Sequence, residues 1–110
     1  MKEITPQELY SLLQNQPPFL LDVREPFEHE AFNIGGELIP LGEVMAHATA
    51  LPRNRTVVVY CKKGIRSQIA IQRLEEKHGF SNLVNLIGGI ERWKRDISVL
   101  PPAPGEGKER

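Results

Sequence analysis

A single cysteine among 110 residues, Cys61, excludes an intrachain disulfide and any zinc site built from several thiolates. An excess of either charge is missing too. Fourteen Lys and Arg balance 14 Asp and Glu, so nucleic acid or an anionic membrane surface finds no global electrostatic support. No apolar run approaches the roughly 20 residues needed to cross a bilayer as a helix. The three histidines, His29, His47 and His78, are too widely spaced to share a metal at customary ligand intervals, and are read as surface residues. The first eight residues are polar and begin a structured element rather than a secretory leader. A cytoplasmic compartment is the simplest expectation, with no membrane and no nucleic-acid partner.

Enough remains for one core: 40% of the residues are hydrophobic and 25% charged. The folded unit is expected over residues 1–100. Residues 101–110, running from Pro101 to Arg110, hold no large apolar side chain that could offset the entropy of ordering, so this Pro/Gly-rich tail is expected to be mobile.

Local patterns alternate between strand and helix. Thr5-Pro6-Gln7-Glu8 supplies an N-cap hydroxyl, a proline at the first helical position and a carboxylate three residues after the cap. Leu9, Leu12 and Leu13 then form an apolar stripe that Pro17 and Pro18 end. Phe19-Leu20-Leu21-Asp22-Val23 is short and, Asp22 aside, apolar on successive residues, as a strand buried on both faces would be. Pro26 begins a brief helical turn, and Gly35-Gly36 breaks the chain again. Leu41, Val44, Met45 and Ala48 predict a helix from after Pro40 to near Pro52. Residues 56–60 are dominated by β-branched side chains and form the clearest strand. A helix through Ala70, Ile71 and Leu74 stops at Gly79 with Phe80 folding back, residues 83–86 read as another strand, and Ile90, Trp93 and Ile97 mark a last helix. Such alternation implies an α/β fold, a parallel sheet covered on both faces, with ligands beyond the carboxyl ends of its strands. Asp22-Val23-Arg24 and Cys61 both fall at such ends.

A lone cysteine is more often an inert buried residue than a nucleophile. Here it stands between a strand and a helix, where first-turn amides and the positive end of the helix dipole gather. Cys61 to Arg66 holds three cations, Lys62, Lys63 and Arg66, and no acid. Gly64 permits a positive φ, which lets successive amides converge on an anion. This setting favours a thiolate, and therefore a nucleophile.

Cys61-Lys62-Lys63-Gly64-Ile65-Arg66-Ser67 resembles the Cys-x-x-Gly-x-Arg-Ser active-site loop of the rhodanese family. The stretch from Leu21 to Glu28, then Ile39-Pro40-Leu41, and Gly88-Gly89-Ile90 with Trp93, resemble the family in order and spacing. The resemblance implies a rhodanese-like five-stranded parallel sheet with helices on both faces, and a sulfurtransferase that needs no cofactor and no metal. It implies that Cys61 takes the outer sulfur of an anionic donor such as thiosulfate as a persulfide and passes it to cyanide, a thiol or a protein acceptor. Arg66, Lys62 and Lys63 would hold the donor's anionic end, and the amides from Lys62 to Ser67, across Gly64 and Ile65, would surround the persulfide. Asp22 would pair with a loop arginine, orienting Arg66 or fixing Arg24, or would only cap its turn. Ser67 bonds the sulfur or caps its helix; Lys62 and Lys63 contact substrate or form a solvated pair. Trp93 is read as core, and Gly88-Gly89 as a tight entry into the last helix. One departure stands out: Phe32-Asn33-Ile34-Gly35-Gly36 runs one residue short of the family pattern and puts Asn33 where a histidine is common, along a wall that bears on donor or partner preference.

Two other functions share parts of this pattern. Cysteine phosphatases and arsenate reductases use five residues between cysteine and arginine, whereas four separate Cys61 from Arg66, a ring better fitted to one sulfur atom than to a tetrahedral oxyanion. A sulfur carrier or docking module would use the same cysteine with little turnover of small donors.

Overall fold

The computed structural model describes residues 1–97; residues 98–110, including the tail expected to be mobile, lie outside them. Five strands, β1 (Glu3–Ile4), β2 (Phe19–Asp22), β3 (Glu37–Leu38), β4 (Val57–Tyr60) and β5 (Leu83–Leu86), pair in the order β1-β5-β4-β2-β3. Every pairing is parallel. Four helices accompany them: α1 (Pro6–Asn15), α2 (Pro26–Ala31), α3 (Ile65–His78) and α4 (Gly89–Ile97). The expected α/β architecture is present. Among the described residues no helix is long and apolar enough to cross a membrane.

Strand alternation divides the core into two layers. Leu21, Val57, Val59 and Leu83 pack with Ala70, Ile71 and Leu74 of α3 on one side. Leu20, Val58, Tyr60 and Leu86 pack with Leu9 and Leu13 of α1 and with Ile90, Trp93 and Ile97 of α4 on the other. Continuous apolar runs in β2 and β4 are thus what a sheet covered twice requires. Trp93, fully buried, is core as expected.

The caps follow the sequence closely. Thr5 Oγ1 accepts from the Glu8 amide at 3.1 Å, and Glu8 Oε1 accepts from the Thr5 amide at 2.8 Å. α3 ends with Gly79 in the left-handed region, and the Phe80 amide donates back to the Leu74 carbonyl. Phe80 itself is buried against the α3 layer.

The helix expected between Pro40 and Pro52 is not an α-helix. Its hydrogen bonds run from residue i+3 to residue i, as in Glu43 to Pro40, Ala46 to Glu43 and His47 to Val44, and only Ala48–Ala50 forms a regular 3-10 turn. Val44, Ala48 and Leu51 are buried all the same. An apolar face recurring every three to four residues serves a chain of tight turns as well as a helix, so periodicity alone could not separate them.

The α1 cap yields a stability prediction. Thr5→Ala should lower unfolding free energy by about 1 kcal/mol, the usual cost of losing an N-cap side chain, with an unchanged m-value in urea.

Candidate active site

Cys61 directly follows the last residue of β4, at the carboxyl edge of the sheet. Its carbonyl accepts from the Ile90 amide at 2.9 Å, and the Lys62 carbonyl accepts from the Glu91 amide at 3.0 Å. Both donors belong to the first turn of α4, where amides lack helical partners. Gly89 makes this approach possible: its φ is 59°, and a Cβ there would strike the Cys61 carbonyl oxygen and lie 2.6 Å from the Lys62 carbonyl carbon. Gly88-Gly89 is therefore more than a tight helix entry; it seats the loop.

With those carbonyls engaged by α4, amides are left to face the sulfur. Gly64, at φ 95°, precedes the first residue of α3. Its amide donates to Cys61 Sγ at 3.1 Å and the Ser67 amide does so at 3.4 Å. The Ser67 hydroxyl oxygen lies 3.5 Å from the same sulfur. Ser67 sits inside α3 and not at its cap, so the capping alternative does not hold. Its hydroxyl donates to Asn85 Oδ1 through a short hydrogen bond. Asn85 is only 1% exposed, in the middle of β5. Sequence reasoning passed over it, although an amide inside the apolar run Leu83-Val84-Asn85-Leu86 is itself a signal, since burying a polar group is costly unless it is bonded.

Cys61 is 1% exposed and lies at the floor of a cavity of about 150 Å³ lined also by Lys62, Lys63, Ile65 and Arg66. Lys62 and Lys63 are exposed at its rim, and Lys62 Nζ stands 3.9 Å from Glu91. Ile65 is 64% exposed beside the opening. Arg66 is not free: its two terminal nitrogens bind Glu28 of α2 at 2.7 and 2.9 Å. That fork holds the Glu28 carboxyl at about 2, well below the usual 4.5. A second groove of about 340 Å³ adjoins through Lys62 and is walled by Phe27, Phe32 and Ile90.

Asp22, fully buried at the end of β2, fixes Arg24 and not Arg66. Its oxygens accept from Arg24 Nε at 2.9 Å and from a terminal Arg24 nitrogen at 2.8 Å, and Oδ1 also caps the Arg24 amide. Both readings of Asp22 therefore apply. His29 is not a plain surface histidine, because its Nδ1 lies 2.9 Å from Asp22 Oδ2. Asn33 bonds the His29 carbonyl and the Gly35 amide and lines neither cavity, so it shapes the turn and does not face the sulfur. Among the described residues no three His, Cys, Asp or Glu side chains gather as metal ligands would.

The model of the rhodanese-like domain matches residues 5–96 of this chain. The chain belongs to the rhodanese-like family. It is 32% identical over 94 residues to the thiosulfate sulfurtransferase GlpE of Coxiella burnetii, covering 84% of this chain and 87% of GlpE. It is 42% identical over 101 residues to the probable adenylyltransferase/sulfurtransferase MoeZ of Mycobacterium tuberculosis, covering 86% of this chain but only 25% of MoeZ. This rhodanese-like chain thus spans about a quarter of that relative's length. The crystal structure of a rhodanese-related protein from Thermoplasma volcanium superposes with a TM-score of 0.79 at 31% identity, covering 87% of this chain and 93% of that one.

Two predictions follow from this geometry. Gly89→Ala should destabilise the protein by at least about 1–3 kcal/mol, the cost of a side chain at positive φ, as read from urea unfolding. The Glu28–Arg66 pair depresses a carboxyl, so its contribution is complete above pH 4.5 and is lost as pH falls through about 2. The stability difference between wild type and Glu28→Gln should be flat above pH 5 and shrink steadily towards pH 2.

Proposed function

We propose that this rhodanese-like protein is a thiosulfate-type sulfurtransferase with Cys61 as its nucleophile. The observation that carries the reading is the convergence of the Gly64 and Ser67 amides on Cys61 Sγ at the floor of a cavity of about 150 Å³. Amides fixed on an anion before reaction need no reorganisation when charge moves onto the sulfur. The cavity has room for a small inorganic anion and is well short of the roughly 300 Å³ where pockets for larger ligands begin.

Cys61 loses its proton to solvent and attacks the outer sulfur of the donor. A new S–S bond forms, the donor's own S–S bond breaks, and sulfite departs with that electron pair. Cyanide or a thiolate then attacks the outer sulfur of the Cys61 persulfide, and the Cys61 thiolate is released. Lys62 and Lys63 at the rim, with the Arg66 guanidinium that lines the cavity while held by Glu28, attract the donor's anionic end. The four-residue spacing between Cys61 and Arg66 favours this over phosphate or arsenate chemistry. A reducing, cytoplasmic setting suits a free reactive thiol.

A second reading has support of its own: a carrier that takes sulfur from one protein and gives it to another. The groove beside Lys62, with Phe27 72% exposed at its edge, offers a partner chain an apolar foothold next to the sulfur. Likeness to the putative sulfur carrier protein YrkF of Bacillus subtilis, 39% identical over 75 residues, also favours it.

Intact mass after incubation with thiosulfate should gain one sulfur atom in the native chain and none in Cys61→Ala; sulfur uptake by the variant would remove Cys61 from the mechanism. Cyanolysis then separates the readings, because saturable turnover of thiosulfate marks the enzyme, and negligible turnover with efficient loading from a protein persulfide marks the carrier. Arg66→Ala should slow thiosulfate turnover by about 10- to 100-fold, the scale of a lost charge-assisted contact.

A further inference from the structure

Ser67 has one hydroxyl proton and two neighbours that can take it, Cys61 Sγ and Asn85 Oδ1. The proton goes to Asn85, which turns the Ser67 lone pairs towards the sulfur. That arrangement suits a neutral thiol, which donates its proton to Ser67 Oγ. It does not suit a thiolate or a persulfide anion, because a sulfur without a proton would face an oxygen lone pair in a buried site. The penalty is electrostatic and unscreened by water.

Asn85 carries the remedy on its own side chain. An amide presents an acceptor and a donor on one planar head, and a half-turn about its last side-chain bond exchanges them. After that turn Nδ2 donates to Ser67 Oγ, and the Ser67 proton is free to point at the sulfur anion. No covalent bond changes: the thiol proton leaves to solvent, Ser67 keeps its single proton and Asn85 keeps both of its own. Burial and neighbours make the amide specific to this task. Asn85 is paired in register with Val59 of β4, two residues before Cys61, and a Cβ on Gly64 would lie 3.8 Å from Asn85 Nδ2. The amide thus borders both residues whose backbone N–H groups bind the sulfur.

We infer that Asn85 is a positioning residue whose side-chain amide rotates with the charge on Cys61, switching the Ser67 hydroxyl between accepting from the thiol and donating to the sulfur anion. This rests on Cys61 passing between thiol, thiolate and persulfide. Alkylation by iodoacetamide reads the thiol-to-thiolate step without any sulfur donor, so failure of thiosulfate turnover and failure of the Asn85 relay remain distinct results.

The direct test needs no substitution at position 85. In isotope-labelled full-length protein, the nuclear Overhauser contact between the Asn85 side-chain amide protons and the Ser67 Cβ protons should strengthen across the pH range in which alkylation of Cys61 accelerates. It should not change in Cys61→Ser. A contact of constant intensity in the native chain overturns the proposal. The second test is kinetic: Asn85→Asp offers Ser67 acceptors only, and should move the pH profile of alkylation upward by about one unit, about tenfold slower at neutral pH. At least half of that displacement should vanish in a Ser67→Ala background. An equal displacement with and without the Ser67 hydroxyl means that the new charge acts directly through space, and the relay is rejected.

Discussion

The chemistry of this chain depends on where two carbonyls go. A backbone turn offers oxygens as readily as amides, and oxygens facing the sulfur would repel any negative charge placed on it. The first turn of α4 removes that possibility by donating Ile90 and Glu91 amides to the Cys61 and Lys62 carbonyls. The same bonds satisfy helix-end donors that would otherwise need water. One interaction therefore closes the helix end and settles the polarity of the Cys61 loop. Gly89 is its steric condition, since any side chain there meets the loop backbone.

Around that loop the charges are arranged in tiers. Nearest the sulfur lie uncharged donors, the Gly64 and Ser67 amides with the Ser67 hydroxyl alongside. Arg66 comes next, already committed to Glu28. The solvated lysines stand outermost. Asp22 and Arg24 form a separate buried pair that ties the end of β2 to the Phe32 carbonyl and holds a wall of the groove beside Lys62. Such a gradient keeps the bare cations at the rim and leaves uncharged groups against the sulfur.

Much of this was legible in the residues. The cap of α1, the stop of α3 and the three central strands each carry a local signature, because each is decided by neighbours in sequence. The edge strands β1 and β3 have two residues apiece, too few for any alternation to show, and the count of five strands entered only with the family resemblance. Residues 41–51 display a helical stripe yet turn more tightly, since burial constrains which side chains face inward and not which carbonyl each amide selects. Within the site, Cys61, Gly64 and Ser67 were visible as a motif. Glu28 closed the upstream matching stretch, but its pairing with Arg66 was not visible, nor were those of His29 and Asn85, because the contacts span 38, 7 and 18 positions and only folding brings them together.

The brevity of the outer strands has its own consequence. An exposed sheet margin is a template on which a stray chain can dock by backbone pairing, and long flat margins invite fibrils. At both flanks of this sheet the outermost member has only two residues. A newcomer could gain hardly more than one or two ladder bonds before the template runs out. The sheet is thereby protected from growing by its edges, whatever approaches the face that holds Cys61.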